Sequence, residues 1–206
     1  MAHKVASVQT LFEDSMDLHN DLVVGGKEYS AATIIKDLDD GIANFKENWG
    51  GKDAGTQINN IIAVRNGMVV VSNSLDMLAG ESSKVASNYR EIQNSNGAGL
   101  EQFTALNAEA KSTIGEYSDD RDTIEIKPDV TTGMIKINTA KTEIDAFITR
   151  TKEACNRIME NWSEGDANRE NAKQAIDEFL AKADQYKEVL NQASTSADTA
   201  IKNYNM

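Results

Sequence analysis

Little in this chain could build a β-sheet core or staple a loop. Its 206 residues include one proline, one cysteine, two histidines and two tryptophans, and aromatic residues make up 6%. β-Sheet cores draw on aromatic and β-branched side chains, so a chain this poor in both aromatics and proline leans helical. The lone thiol, Cys155, forms no intramolecular disulfide. Its neighbours Phe147, Ile148, Ile158 and Trp162 share its helical spacing, so it reads as a buried core thiol. His3 and His19 offer no ligand pair at helical spacing and read as solvated or helix-surface residues.

Basic side chains are also scarce. Lys and Arg number 21 against 33 Asp and Glu, for a net charge of −12. Such a surface repels phosphate backbones, which argues against nucleic acid and against docking on anionic membranes. No apolar run exceeds Met68 to Val71, far short of the roughly 18 residues of a spanning helix, so no integral membrane segment is expected. The opening MAHKVASVQTLFEDS turns acidic before a signal-peptide core forms. Export, if it occurs, is therefore expected without a cleavable signal peptide, and a cytoplasmic location is the alternative.

Chemistry-bearing clusters are missing too. There is no Gly-rich phosphate loop, Ser-His-Asp set or paired carboxylate, so no enzyme activity, cofactor or metal is expected. The acidic group Asp119, Asp120, Asp122 and Glu125 lacks the central glycine and ligand spacing of a calcium loop and reads as a solvated connector. Asp37, Asp39 and Asp40 read as a polar helix face.

What remains is helical periodicity. Val5, Val8, Leu11, Phe12, Met16, His19 and Leu22 make a first stripe, broken at Gly25 and Gly26. Ser30 is placed to cap the next helix, whose stripe runs through Ile34, Ile35, Leu38, Ile42 and Phe45 to Trp49. Gly50 and Gly51 end it. A long helix is expected from about Asp53 to Gln93, ending at NSNGAG, residues 94–99. Leu100, Phe103, Leu106, Ala110, Ile114 and Tyr117 suggest a further short helix. Residues 123–137 then alternate at Ile124, Ile126, Ile135 and Ile137; a small β-hairpin and an irregular connector with a helix starting near Thr131 are both open. A helix follows through Ile144, Phe147 and Ile158 to Trp162, and a last one through Ile176, Phe179, Leu190 and Ile201.

Both tryptophans fall in one repeated octapeptide. Residues 47–54 read ENWGGKDA and residues 160–167 read ENWSEGDA. At the same offset, Ala31, Ile34 and Ile35 fall on Ile144, Phe147 and Ile148, and Phe45 falls on Ile158. The chain thus carries helix, Trp-Gly turn and long helix twice. Two such hairpins packed together bury stripes that one alone leaves open, which gives a four-helix bundle.

Trp49-Gly50-Gly51, a Trp-x-Gly turn between two helices, resembles the WXG family of secreted helical-hairpin proteins, similar to early secreted antigens exported by type VII secretion systems. Trp162-Ser163-Glu164-Gly165 is one residue longer. Family members are usually about half this length and pair into four-helix bundles, so the chain looks like a fused pair. The resemblance implies a mainly α fold with two antiparallel hairpins, residues 1–95 and 131–206. They are joined by a connector, residues 96–130, holding the extra short helix and the possible β-hairpin. Some branches follow the second helix with Tyr-x-x-x-Asp/Glu; here Tyr89 is followed by Gln93.

The implied function is non-enzymatic: a substrate or partner-binding factor of such a system, contacting secretion machinery or a co-secreted protein. A cytoplasmic adaptor or export chaperone is the alternative. The fused pair would be a monomer or a homodimer. Its turn residues Trp49, Gly50, Gly51, Trp162 and Gly165 are the candidate partner-binding set. If the hairpins pack antiparallel, Trp49 lies near Ile201 and Tyr204, and Trp162 near Tyr89 and Ile92, each making a shallow apolar cleft.

Overall fold

The structure is a computed structural model that describes residues 7–119, 121, 123–162 and 167–204, except the side chains of Asn168 and Tyr204. Gly165, His3, Asp120 and Asp122 lie outside the described residues. The fold is mainly helical: α1 Val8–Asp17, α2 Ala31–Asn48, α3 Lys52–Ser95, α4 Val130–Asn161 and α5 Ala167–Tyr204. Ser7 and Ser30 cap α1 and α2, each accepting from the amide three residues on.

After α1 the chain widens into a π-helical stretch, Leu18–Val24. Wider turns free backbone groups from the regular ladder. The carbonyl of Val23 accepts from Lys111 Nζ at 3.0 Å. His19 lies in the same stretch and is hydrogen-bonded through Nδ1 to Asp76 Oδ1 at 2.7 Å. Its side chain is 19% exposed, so it is a packed link to α3 and not the solvated residue expected.

α3 is the hub. It packs against α1, α2 and α5, and α2 and α5 each pack against α4. Its buried residues therefore go almost round the helix, from Ile58, Ile61 and Ile62 to Leu75, Leu78 and Ala79. By length and hydropathy alone α3 could cross a membrane, but 67% of its apolar window is buried inside this fold.

The pairings run antiparallel. Asp39 of α2 holds Arg65 of α3 at 2.9 and 3.2 Å. Asp37 of α2 pairs with Lys136 of α4 at 2.7 Å, and Gly41 lies against Ile137. Lys141 and Asp145 of α4 reach Asn191 and Lys187 of α5. Gly67 of α3 lies under the Tyr186 hydroxyl of α5. Asp37 and Asp39 thus tie helices together instead of forming the polar outer face expected; Asp37 is only 7% exposed.

The largest departure is the stretch expected to be helical at 100–117. Residues 98–119 form neither helix nor strand. They run extended along α3 in the opposite direction, and α3 side chains bond to their main chain. Asn59, Asn66, Asn73 and Asn94 each donate to a carbonyl and accept an amide, at Tyr117, Ile114, Lys111 and Leu100 respectively. Ser87 donates to the Phe103 carbonyl, and the amides of Leu106 and Glu109 donate to Ser83 and Asp76.

The spacing explains the misreading. Seven helical residues advance ~10.5 Å and three extended residues about 9–10 Å, so the two chains stay in step. Between residues 100 and 117, Phe103, Ala105, Leu106, Lys111, Ile114 and Tyr117 are the partly buried residues that result. A three-residue period fits an extended chain as well as a helix face.

Nor is there a β-hairpin within 123–137. Glu125–Ile126 (β2) pairs antiparallel with Trp49–Gly50 (β1), Trp49 opposite Ile126 and Gly50 opposite Glu125. α4 starts at Val130, so Ile135 and Ile137 are helical.

Candidate functional site

The first Trp turn is built from four parts of the chain. α2 ends as Trp49 takes an extended conformation. Gly51 follows at φ +105°, a conformation that an L side chain strains to adopt. Gly50 packs directly beneath the Arg121 guanidinium, which leaves no room for a Cβ. The Trp49 ring meets Phe45 edge to face, centroids 5.5 Å apart at 76°. Trp49 is 2% exposed, so its ring is a core element.

The connector clamps this turn. Gly51 N donates to Asp119 Oδ2 at 3.0 Å, and Arg121 donates to both oxygens of the same carboxylate, at 2.8 and 2.7 Å. The Arg121 guanidinium, with the backbone amides of Arg121 and Gly51, holds the Asp119 carboxyl well below the usual carboxylate range. The Asp119 side chain is 3% exposed, which corrects its expected place in a solvated connector. Lys127 N donates to the carbonyl of Asn48 at 2.8 Å and completes the two-strand pairing. Asp119 and Arg121 are the site residues that sequence reasoning missed; no local pattern marks a pair whose partner is a turn so distant in sequence.

Beside the turn lies a cleft of about 700 Å³ between the start of α3 and the end of α5. Trp49 and Ile124 give it apolar surface, and Gln57, Asn191, Thr195 and Thr199 give it amides and hydroxyls. Among the described residues, Asp53 and Glu188 are its charged lining residues. The cleft was expected at Ile201 and Tyr204. The structure places Ala200 and Asn203 on its wall, while Ile201 is half-buried against the core. Most of its lining side chains are polar, but apolar atoms supply more of its exposed surface than polar ones, so the cleft is mixed where an apolar one was expected.

In the second Trp motif, Trp162 is 1% exposed, and its indole Nε1 has no hydrogen-bond partner among the described residues. Of its expected neighbours, Tyr89 is half-buried and Ile92 is 56% exposed. Among the described residues no three His, Cys, Asp or Glu side chains converge on a metal position. Cys155 is buried, and that burial pushes its thiol up to about 12. No family model, curated protein or solved structure matches the chain.

Proposed function

We propose that this protein is a non-enzymatic interaction module: two WXG-like helical hairpins fused in one chain, packed as a four-helix bundle, that serve a type VII secretion system as substrate or partner-binding factor. The observation that carries the reading is the cleft beside Trp49. α2 on α4 and α3 on α5 run antiparallel, which sets the first hairpin's turn beside the free end of α5. The cleft opens at that junction. Its amides, hydroxyls and two carboxylates suit the polar part of a protein surface, and Ile124, 44% exposed, supplies the apolar contact such interfaces centre on.

Export is tested by tagging the protein and comparing culture supernatant with lysate, with and without the secretion ATPase. Presence in the supernatant only when the ATPase is intact supports the reading. Absence from the supernatant of both strains replaces it with a cytoplasmic adaptor or export chaperone. The cleft is tested by Ala200→Arg, which fills it from α5 without removing core. The variant should keep its helical signal and lose the partner contact.

A further inference from the structure

On α3, positions 59, 66, 73, 80, 87 and 94 recur every seven residues and read Asn, Asn, Asn, Gly, Ser, Asn. This stripe does not pack a helix. It reads main chain: a carboxamide offers one donor and one acceptor side by side, the complement of one peptide residue. Gly80 faces the extended segment; a Cβ there would lie 3.7 Å from the Leu106 carbonyl oxygen and from Ala108 Cβ, an ordinary contact. Side-chain demands on the segment centre on Lys111, whose Nζ donates to the Val23 carbonyl at 3.0 Å and to Ser72 Oγ at 2.9 Å, and on a few apolar side chains. Phe103 stacks on Phe12 at 4.1 Å and lies under Arg90 at 4.0 Å, while Leu106, Ile114 and Tyr117 are half-buried.

We propose that the α3 stripe is a docking site for an extended segment of a second protein, and that residues 98–119 occupy it in cis as a displaceable stand-in. The resident segment defines the chemistry of the incoming one. It is extended, bears an apolar side chain at about every third residue, and carries no proline where an amide must donate. Such segments order only on binding.

Displacement has a route. The segment has no hydrogen-bond ladder of its own, and the side chains between the read positions, apart from the half-buried Ala105, are exposed. It joins α3 through Gly97 and Gly99, at φ +87° and +60°, with nothing near either Cβ position. Its other end is fixed by Asp119 to Gly51, so it peels from the glycine end. A tethered segment competes at an effective concentration of roughly millimolar, so a partner already held elsewhere on the protein displaces it best. This site is separate from the Trp49 cleft and does not depend on export.

The probe is a synthetic peptide of residues 100–117. The receptor is the full chain with those residues replaced by Gly/Ser of equal length. The peptide should bind. A version with alanine everywhere except Phe103, Leu106, Lys111, Ile114 and Tyr117 should bind within about tenfold. N-methylation of the amides of Lys111, Ile114 and Tyr117 should weaken binding by about a hundredfold or more. On the unaltered chain, roughly millimolar peptide should speed amide exchange at Leu106, Lys111 and Ile114.

If the Gly/Ser receptor loses its helical signal, a protease site replacing Gly97-Ala98-Gly99 gives a cut chain for the same titration. Failure to bind either receptor, indifference to N-methylation, loss of binding by the alanine version, or unchanged exchange at millimolar peptide overturns the proposal. So does a dimer of doubled mass by light scattering that the peptide dissolves, because the occupant would then be a second copy of this chain.

Discussion

Gly41 of α2 lies so close to Ile137 of α4 that a Cβ on the glycine would stand 2.5 Å from Ile137 Cδ1. Nearby, a Cβ on Gly133 would stand 2.6 Å from both Asn44 Oδ1 and Phe45 Cδ1. The two helices approach through glycine on both sides. Gly133→Ala should destabilise by about 1–3 kcal/mol through overpacking, because the Phe45 ring is fully buried and cannot swing away. Alanine's better helix propensity offsets roughly 1 kcal/mol of that cost. Gly115→Ala, with nothing within 4 Å, is the control. Urea unfolding monitored by circular dichroism reads both, and equal midpoints would remove the close-approach argument.

Glu143 gives stability a pH dependence of unusual sign. Burial, and then the nearby Asp37 and Glu28 carboxylates, push its carboxyl up to about 7, against a smaller opposing pull from Lys136. One of its oxygens has no hydrogen-bond partner. The folded protein therefore holds this proton at pH values where the unfolded chain has released it. Stability from this group is full below about 4.5, the ordinary glutamate value, and is lost as pH rises to about 7. Glu143→Gln keeps the neutral form at every pH. Its melting temperature relative to wild type should rise between pH 5 and pH 8. A difference that stays flat across that range would refute the assignment.

Cys155 should resist thiol reagents in the folded state, because burial keeps it protonated well above neutral pH. Labelling by a disulfide reagent at pH 8 should follow the rate of unfolding and rise with urea. Immediate labelling in the absence of urea would contradict its burial.

Helix position was readable in the sequence wherever one apolar stripe met one cap or glycine, as at Ser30 and at Trp49-Gly50-Gly51. Pairing between distant segments was not. Asp37 with Lys136, Asp14 with Arg157 and Asp119 with Gly51 join charges that look like ordinary solvated residues one at a time. The extended segment was misassigned because its period of three imitates a helix. The sign that could have exposed it lay in its partner. Asn59, Asn66, Asn73 and Asn94 recur on one seven-residue register of α3, a stripe of carboxamides that calls for a polar occupant. The mixed lining of the cleft depends on which face of α5 turns toward Trp49.

The two tryptophans should separate in one measurable respect. Both are buried, so Trp49→Ala and Trp162→Ala should each cost ~3–5 kcal/mol. Among the described residues, Trp49 and not Trp162 lies in a strand pairing: opposite Ile126, next to the bond from the Lys127 amide to the Asn48 carbonyl. Under native conditions, exchange at the Lys127 amide should accelerate in Trp49→Ala more than in Trp162→Ala at matched stability. Trp162→Phe should cost less than Trp162→Ala, because the indole Nε1 has no partner to abandon and the phenyl ring refills most of the space. Exchange and urea midpoints in the three variants check both statements. Equal acceleration at Lys127 in the two alanine variants would mean that the first turn is held by the fold as a whole and not by its own tryptophan.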